Sequence, residues 1–398
     1  MRFALLGLDT DTASWAAALA HSQQHSITYA CDVAPQALAQ LGLPAAIPHG
    51  NDWESLLTSQ AADAVLVATS RDEDVRADQL RKLVQAGVPL LVAHPVHSSM
   101  LVYYELEMIH EEGRGPLMPL LFDRWHPAIV ALFEQLSSPG PSGLGTLEQL
   151  SFVRSQHDRS SPAVKRAFAR DVDLLRALGG EYNKIGAMGA GTGEQRFAHL
   201  GIQLSGPANV LARWNVEPID AEAGGRLTLL ASAGKAVLWM PEGSTNWQLT
   251  TTRQGQSQTQ SYSYDSVAIG LEHFTRLCRG EETAPTWLDA SRSVELADTI
   301  DRALDKGRTI ELHQEDYTEE ATFKGTMASV GCAILICGLL LFVLGAALAK
   351  MGVPGASYTP HLLLLIMAFF LGLQLLRLAF PAASNPPSVP AGSQAKDE

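Results

Sequence analysis

The chain has 398 residues, 46% of them hydrophobic and 18% charged, which is long enough for two or three domains and somewhat apolar for a wholly soluble protein. A net charge of −13 argues against a nucleic-acid partner, because neutralising phosphates takes clustered Lys and Arg. Cys31, Cys278, Cys332 and Cys337 have no metal-ligand spacing, so neither zinc nor a disulfide framework is expected.

In chain order, the first unit reads as a strand from Arg2 to Leu6, a turn from Gly7 to Thr12, a helix through Ala20, and a strand from Ile27 to Ala30 ending at Asp32. This is dinucleotide-fold grammar. Such a turn wants Gly at three places, so that the backbone can approach a pyrophosphate seated on the helix amino terminus. Only Gly7 is present, and Asp9 stands where the second glycine would be. A carboxylate ~5 Å from a phosphate, at an effective dielectric of ~20, is repelled by about 3 kcal/mol, roughly a hundredfold in affinity. The other reading is that Asp9 or Thr10 simply caps the helix. Asp32 also has two readings. It is either the acid that hydrogen-bonds a ribose hydroxyl or a solvated turn residue ahead of Val33, Ala34 and Pro35. A helix from Pro35 to Leu41 follows, then one from Trp53 to Thr58 behind an Asn51-Asp52 cap.

The stretch from Ala61 to Pro95 reads as a βαβ unit. Ala64 to Ala68 and Val88 to Ala93 are continuous apolar runs, and Val75, Leu80, Leu83 and Val84 recur between them at helical spacing, with Gly87 and Pro89 at the stop. Ligands on a parallel sheet sit beyond the carboxyl ends of its strands, which here are Thr69 to Arg71 and His94-Pro95.

An Asp63-Ala64-Val65 strand, a Val67-Ala68-Thr69 end, a helix closing on Ala86-Gly87 and a last strand ending in Ala93-His94-Pro95 resemble the Gfo/Idh/MocA oxidoreductases. The resemblance implies the fold class α/β: a Rossmann-type NAD(P)-binding domain followed by an α+β domain with an open, mostly antiparallel sheet. It implies NAD or NADP as cofactor, with Gly7, Asp9, Thr10, Asp32, Ala68, Thr69 and Arg71 at the cofactor-contacting positions. It also implies Glu-Lys-Pro at the last strand end, so His94 replaces the lysine expected to polarise a substrate carbonyl.

A helix from Ser98 to Glu112 and a strand from Leu117 to Phe122 come next. The run Asp123-Arg124-Trp125-His126-Pro127, opening a helix through Leu136, resembles the family's link between domains; His126, just before Pro127, reads as structural. Pro139, Gly140, Pro141, Gly143 and Gly145 mark a loop, which places the domains at 1–125 and 126–322, with some chain crossing back at the end. Strands are expected at Leu147 to Arg154, Lys184 to Ala187, Val210 to Val216, Leu227 to Ala231, Ala236 to Met240 and Trp247 to Thr252, with a hairpin turn at Ser232 to Lys235. Helices at Glu272 to Gly280 and Leu288 to Asp305 and a strand at Ile310 to Leu312 resemble the family's closing elements. The family's open sheet commonly mediates oligomerisation, so a homo-oligomer is expected.

The helix from Pro162 to Leu178 is where the family keeps a catalytic Asp and His four residues apart. Asp171, Asp173, Leu174 and Leu175 match the family's continuation and place those two positions at Arg166 and Arg170. A guanidinium does not give up its proton near neutral pH and cannot act as a base. His94, Arg166 and Arg170 are therefore the family's catalytic positions, all substituted. Either Arg166, Arg170 and Arg124 line the cleft and bind an anionic ligand in place of a sugar-like or polyol-like one, or they are solvated. His94 is either a proton donor or structural.

No charged residue occurs from Thr326 to Ala349, a run long enough to cross a ~30 Å hydrocarbon core at ~1.5 Å per residue. His361 to Phe380 is nearly as apolar, with Arg377 near its end. Two transmembrane helices, 326–349 and 361–380, are expected to form a hairpin in the lipid bilayer, ahead of a disordered tail at 381–398. The positions of Lys324, Lys350, Arg377 and Lys396, with no signal peptide ahead of Phe3, put the soluble domains and both termini in the cytoplasm. Three functions follow as alternatives: a membrane-anchored oxidoreductase with altered catalytic groups, a pseudoenzyme sensing a nucleotide or metabolite, and a membrane-tethered scaffold.

Overall fold

In the computed structural model, residues 1–43, 47–57, 62–113, 115–138, 143–219, 222–312 and 350–351 are described. The amino-terminal part alternates β1 (Arg2–Leu6), α1 (Thr10–His21), β2 (Ser26–Cys31), α2 (Pro35–Gln40), β3 (His49–Gly50), β4 (Ala64–Val67), α3 (Glu73–Gln85), β5 (Leu90–Val92), α4 (Met100–Gly113) and β6 (Leu117–Pro119). These strands form one parallel sheet in the order β3-β2-β1-β4-β5-β6. The winding reverses between β1 and β4, which makes that boundary the switch point. Unbroken apolar runs explain the arrangement: β4, β5 and β6 are buried at every position, as strands with helices on both faces must be.

Three local expectations need correction. The buried residues of α3 are Arg76, Ala77, Gln79, Leu80, Leu83 and Val84, whereas Val75 is 51% exposed. Asp72 caps α3 by accepting from the Val75 N–H at 3.1 Å, and that start fixes a rotation in which an arginine points inward and a valine outward. The segment at Trp53 is a single 3₁₀ turn, Trp53–Leu56, with no side-chain cap from Asp52. The strand expected to reach Phe122 ends at Pro119, where the Leu121 N–H turns back to the Pro119 carbonyl at 2.9 Å, and Phe122–Trp125 form another 3₁₀ turn.

The chain continues through α5 (Pro127–Ser137), β7 (Leu147–Ser155), α6 (Ser161–Gly179), β8 (Lys184–Met188), β9 (Gly201–Ser205), β10 (Leu211–Glu217), β11 (Gly224–Ala231), β12 (Gly234–Pro241), β13 (Asn246–Arg253), β14 (Gln256–Ser263), α7 (Ser266–Leu277), α8 (Trp287–Lys306) and β15 (Ile310–Glu311). Its 9-stranded sheet runs β14-β13-β12-β11-β7-β10-β9-β8-β15. Only β7 and β10 pair in parallel; the other neighbours are antiparallel. This is the mixed, mostly antiparallel sheet expected, joined at β11 and β12 by the anticipated hairpin. α6 and α8 supply Val164, Phe168, Leu175, Leu296 and Ile300 to a core with Leu150, Phe152 and Trp214 of the sheet.

The closing helices tie the two sheets together. Leu271 and Phe274 of α7 pack with Phe3 and Trp15, and the first turns of α8 place Trp287, Ala290 and Val294 in the core around Leu80 and Tyr103. The later turns of α8 belong to the second core. The first domain's core therefore extends beyond residues 1–125, and residues 1–313 form one unit.

Both apolar runs at 326–349 and 361–380 lie outside the described residues, as does the tail at 381–398. Among the described residues, no helix is long and apolar enough to cross a membrane.

Candidate functional site

The ends of β1 and β4 meet at Asp9. Gly7 leaves β1 with φ of 75°, a conformation that favours glycine. Asp9 is the N-cap of α1, with its backbone extended. Its Oδ1 accepts from the Asp11 N–H at 3.0 Å, the Thr12 N–H at 2.8 Å and the Thr12 hydroxyl at 2.8 Å. Its Oδ2 accepts from the Thr69 N–H at 2.8 Å and the Thr69 hydroxyl at 2.6 Å, just past β4. Burial pushes the Asp9 carboxyl up, but the hydrogen bonds from Thr69 and Thr12 outweigh it and hold the group below its ordinary value. The carboxylate is thus ionised and fully engaged.

Gly7, Asp9, Thr10, Ala68 and Thr69 are gathered at this one place. Thr10 opens α1 and is exposed, and the Ala68 N–H donates to the Leu6 carbonyl at 3.0 Å. Arg76 is 3% exposed, and a Cβ added to Gly7 would meet its Nη2 at 2.7 Å. Among the described residues its Nε and Nη1 have no hydrogen-bond partner. Burial lowers the pKa of Arg76, while the charges of Asp32, Cys31 and Asp9 oppose that shift. Asp32 is exposed at the end of β2 with φ of 55°, its N–H donating to the Gly50 carbonyl at 3.0 Å. Arg71 is exposed beyond β4.

His94 and Arg170 also come together. The Arg170 Nε donates to the His94 carbonyl at 3.0 Å, and its Nη2 pairs with the Asp11 carboxylate, so α6, the end of β5 and the start of α1 share one guanidinium. The His94 ring is 3% exposed, with Nε2 3.3 Å from the Ala169 carbonyl and Nδ1 unpartnered among the described residues. Burial drives its pKa down to about 3; the Ala169 hydrogen bond opposes this, and the charges of Arg170, Arg176 and Arg124 add to it. The ring is neutral at pH 7.

Arg166 does not join them. It is exposed and lines a cavity of about 360 Å³ with His97, Ser98, Ser161 and Lys165. Lys165 is paired with Asp301, and Glu73 on the same wall accepts from the Ser98 N–H at 2.9 Å and hydroxyl at 2.7 Å.

Of the three arginines read either as lining an anion site or as solvated, two are ion-paired within the protein. Arg124 is bound to Asp173, with Nε to Oδ2 at 3.1 Å, and to Asp289 at 3.2 Å. Arg170 is held as above. Sequence reasoning missed Asp11, Thr12, Arg76, Asp173 and Asp289 as partners. Asp11 and Thr12 both carried a signal: Asp11 is an acid in the first turn of α1, and Thr12, three residues past the Asp9 cap, completes a capping box with it. Asp173 and Asp289 are paired with Arg124 across distant segments, Arg76 is buried against Gly7, and these three carried none.

A parallel six-stranded sheet with its switch point at β1 and β4, followed by a helix-backed mixed sheet, defines an α/β protein with a Rossmann-type sheet. Residues 1–109 match the GFO_IDH_MocA model, described as an oxidoreductase family with an NAD-binding Rossmann fold. No curated protein matches the sequence. Among solved structures, an oxidoreductase from Agrobacterium radiobacter in complex with NAD+, L-tartaric acid and magnesium is 16% identical, covering 78% of this chain and 98% of its own, with a TM-score of 0.64. An aldose-aldose oxidoreductase from Caulobacter crescentus complexed with glycerol is 17% identical, covering 78% and 99%, with a TM-score of 0.64. A levoglucosan dehydrogenase in complex with NADH and levoglucosan is 11% identical, covering 79% and 100%, with a TM-score of 0.64. At these identities the likeness is one of fold.

NAD or NADP, the cofactor implied by the sequence, is thus in keeping with the family of this domain. The residues at the phosphate locus do not fit the group as they stand. A pyrophosphate on a helix amino terminus takes the first free N–H groups, and here Asp9 holds those of Asp11 and Thr12.

Proposed function

We propose that this chain is a membrane-anchored homologue of the Gfo/Idh/MocA oxidoreductases that keeps their body without their polyol oxidation, and that it acts as a binding protein for a small molecule. The observation that carries the proposal is Arg170, which joins the His94 carbonyl to Asp11. Two of the three positions that the family resemblance makes catalytic are engaged with each other. Oxidising an alcohol to a carbonyl needs a group that accepts the hydroxyl proton near neutral pH and reaches the substrate. Arg166 and Arg170 cannot accept one, and His94 is buried. Arg166 is left facing the cavity of about 360 Å³, where a guanidinium beside Ser98 and Ser161 suits a carboxylate-bearing metabolite of sugar-acid size.

The membrane anchor rests on the charge-free run from Thr326 to Ala349 and the apolar run from His361 to Phe380. A cytoplasmic location and a homo-oligomer through the nine-stranded sheet belong to the same proposal. An active oxidoreductase with altered groups is the second reading, favoured by the family of the first domain and by the dehydrogenases that share the fold. Full-length protein in detergent micelles, given NAD+ or NADP+ with a panel of polyols, sugars and sugar acids, separates the two. No reduced nicotinamide is expected, together with a thermal shift from an acidic compound that Arg166→Ala removes. Reduction of either nucleotide would establish the second reading.

A further inference from the structure

Ligands of an open α/β sheet bind outside the strand ends at the switch point, here the crevice between β1 and β4. One side chain of the protein already spans that crevice. Asp9 receives the N–H groups of Asp11 and Thr12 on one carboxylate oxygen and the N–H and hydroxyl of Thr69 on the other. An anion there is favoured by the partial positive charge of the α1 amino terminus and by N–H groups with no partner inside the helix. A dinucleotide phosphate would use the same field and the same donors.

A second observation points to the same place. Arg76 is buried against Gly7, with Nε and Nη1 unpartnered among the described residues, and its Nη2 lies 2.7 Å from where a Cβ on Gly7 would stand. The close approach that a bare glycine permits is taken up by a guanidinium, and that guanidinium, which feels the charge of Asp9, has hydrogen-bonding capacity unspent.

We infer that Asp9 is an internal substitute for phosphate. It occupies the anion locus, ties α1 to the end of β4, and holds down the affinity of the crevice for dinucleotides and other nucleoside diphosphates. Removing it frees the N–H groups of Asp11, Thr12 and Thr69 while Arg76 stays against Gly7 at the end of β1, which makes a donor set suited to a pyrophosphate. This inference concerns binding alone and holds whether or not the chain turns over a substrate.

The test is a titration of the full-length protein, in detergent micelles, with NADH and with NADPH, followed by nicotinamide fluorescence. Wild type is compared with Asp9→Gly and with Asp9→Asn, which keeps a capping side chain but removes the charge. Asp9→Gly is expected to bind one or both nucleotides about a hundredfold more tightly than wild type, and Asp9→Asn more tightly than wild type by a smaller factor. Inorganic pyrophosphate should compete in both variants. Affinities equal to wild type in both variants overturn the inference, as does a folded variant that binds neither nucleotide at millimolar concentration. If circular dichroism shows Asp9→Gly to be unfolded, Asp9→Asn alone decides.

Discussion

His94 ends a buried strand with its ring enclosed, one nitrogen near the Ala169 carbonyl and the other without a partner among the described residues. Protonating such a ring costs more than protonating it in water, so its folded pKa is about 3 against an ordinary 6.5. Above pH 6.5 the ring is neutral in both states and its burial carries no penalty of ionisation. As pH falls from 6.5 towards 3 the unfolded chain takes up the proton first, and stability is lost by up to about 1.4 kcal/mol per pH unit. His94→Asn, which keeps a donor for Ala169, should flatten the pH dependence of chemical denaturation across that window. A slope identical to wild type would mean that the ring titrates normally, and His94 would again be available as a proton donor. That His94 occupies a strand end was legible in the sequence. Its isolation was not, because the groups enclosing it, Ala169 and Tyr103, come from α6 and α4.

At the scale of elements, α7 illustrates what apolar spacing cannot foretell. Gly270 sits mid-helix where Trp15 of α1 and Phe122 crowd it; an added Cβ would lie 2.2 Å from the first ring and 2.9 Å from the second. Gly270→Ala gains about 1 kcal/mol in helix propensity and loses about 1–3 kcal/mol to overpacking, and with both neighbours rigid and buried the second effect should win. We therefore predict a net loss of thermal stability. A rise in Tm would show that α7 docks more loosely than these distances require. The strands β1, β4 and β5 stand within a few residues of where their apolar runs put them, and α6 and α8 within a few residues of where the family resemblance put them. β14 escaped because it is an exposed edge strand, QSQTQSYS, with only Tyr262 to mark an apolar face. The orientation of α3 was misread because Arg76, a residue type seldom buried, takes a core position beside Gly7. In each case the residue that broke the rule answers to a neighbour far away in sequence.

For the whole molecule, the path of α8 matters most. Its first turns complete the parallel-sheet core and its later turns complete the mixed-sheet core, so the two sheets share one rigid helix. Arg170 adds a polar tie between α6 and α1 across the same cleft. The presence of a parallel sheet and of a mixed, mostly antiparallel one could be read from the sequence; these ties could not, since Arg170 and Asp11 are 159 residues apart. The apolar runs after Thr326 predict that the full-length protein sediments with membranes, resists extraction by alkaline carbonate and is released by detergent. Recovery in the carbonate supernatant would remove the anchor from the account.

Under the proposed function, the fold shared with the Gfo/Idh/MocA oxidoreductases is kept here without a group that accepts the substrate's hydroxyl proton. That claim is tested most directly by comparing nicotinamide reduction by wild type with that of the triple variant His94→Lys, Arg166→Asp and Arg170→His, on the same panel of polyols and sugars. Wild type is predicted to give no turnover above buffer, whatever the variant does. Turnover by wild type within the usual enzymatic range of about 1–10³ per second would contradict the claim.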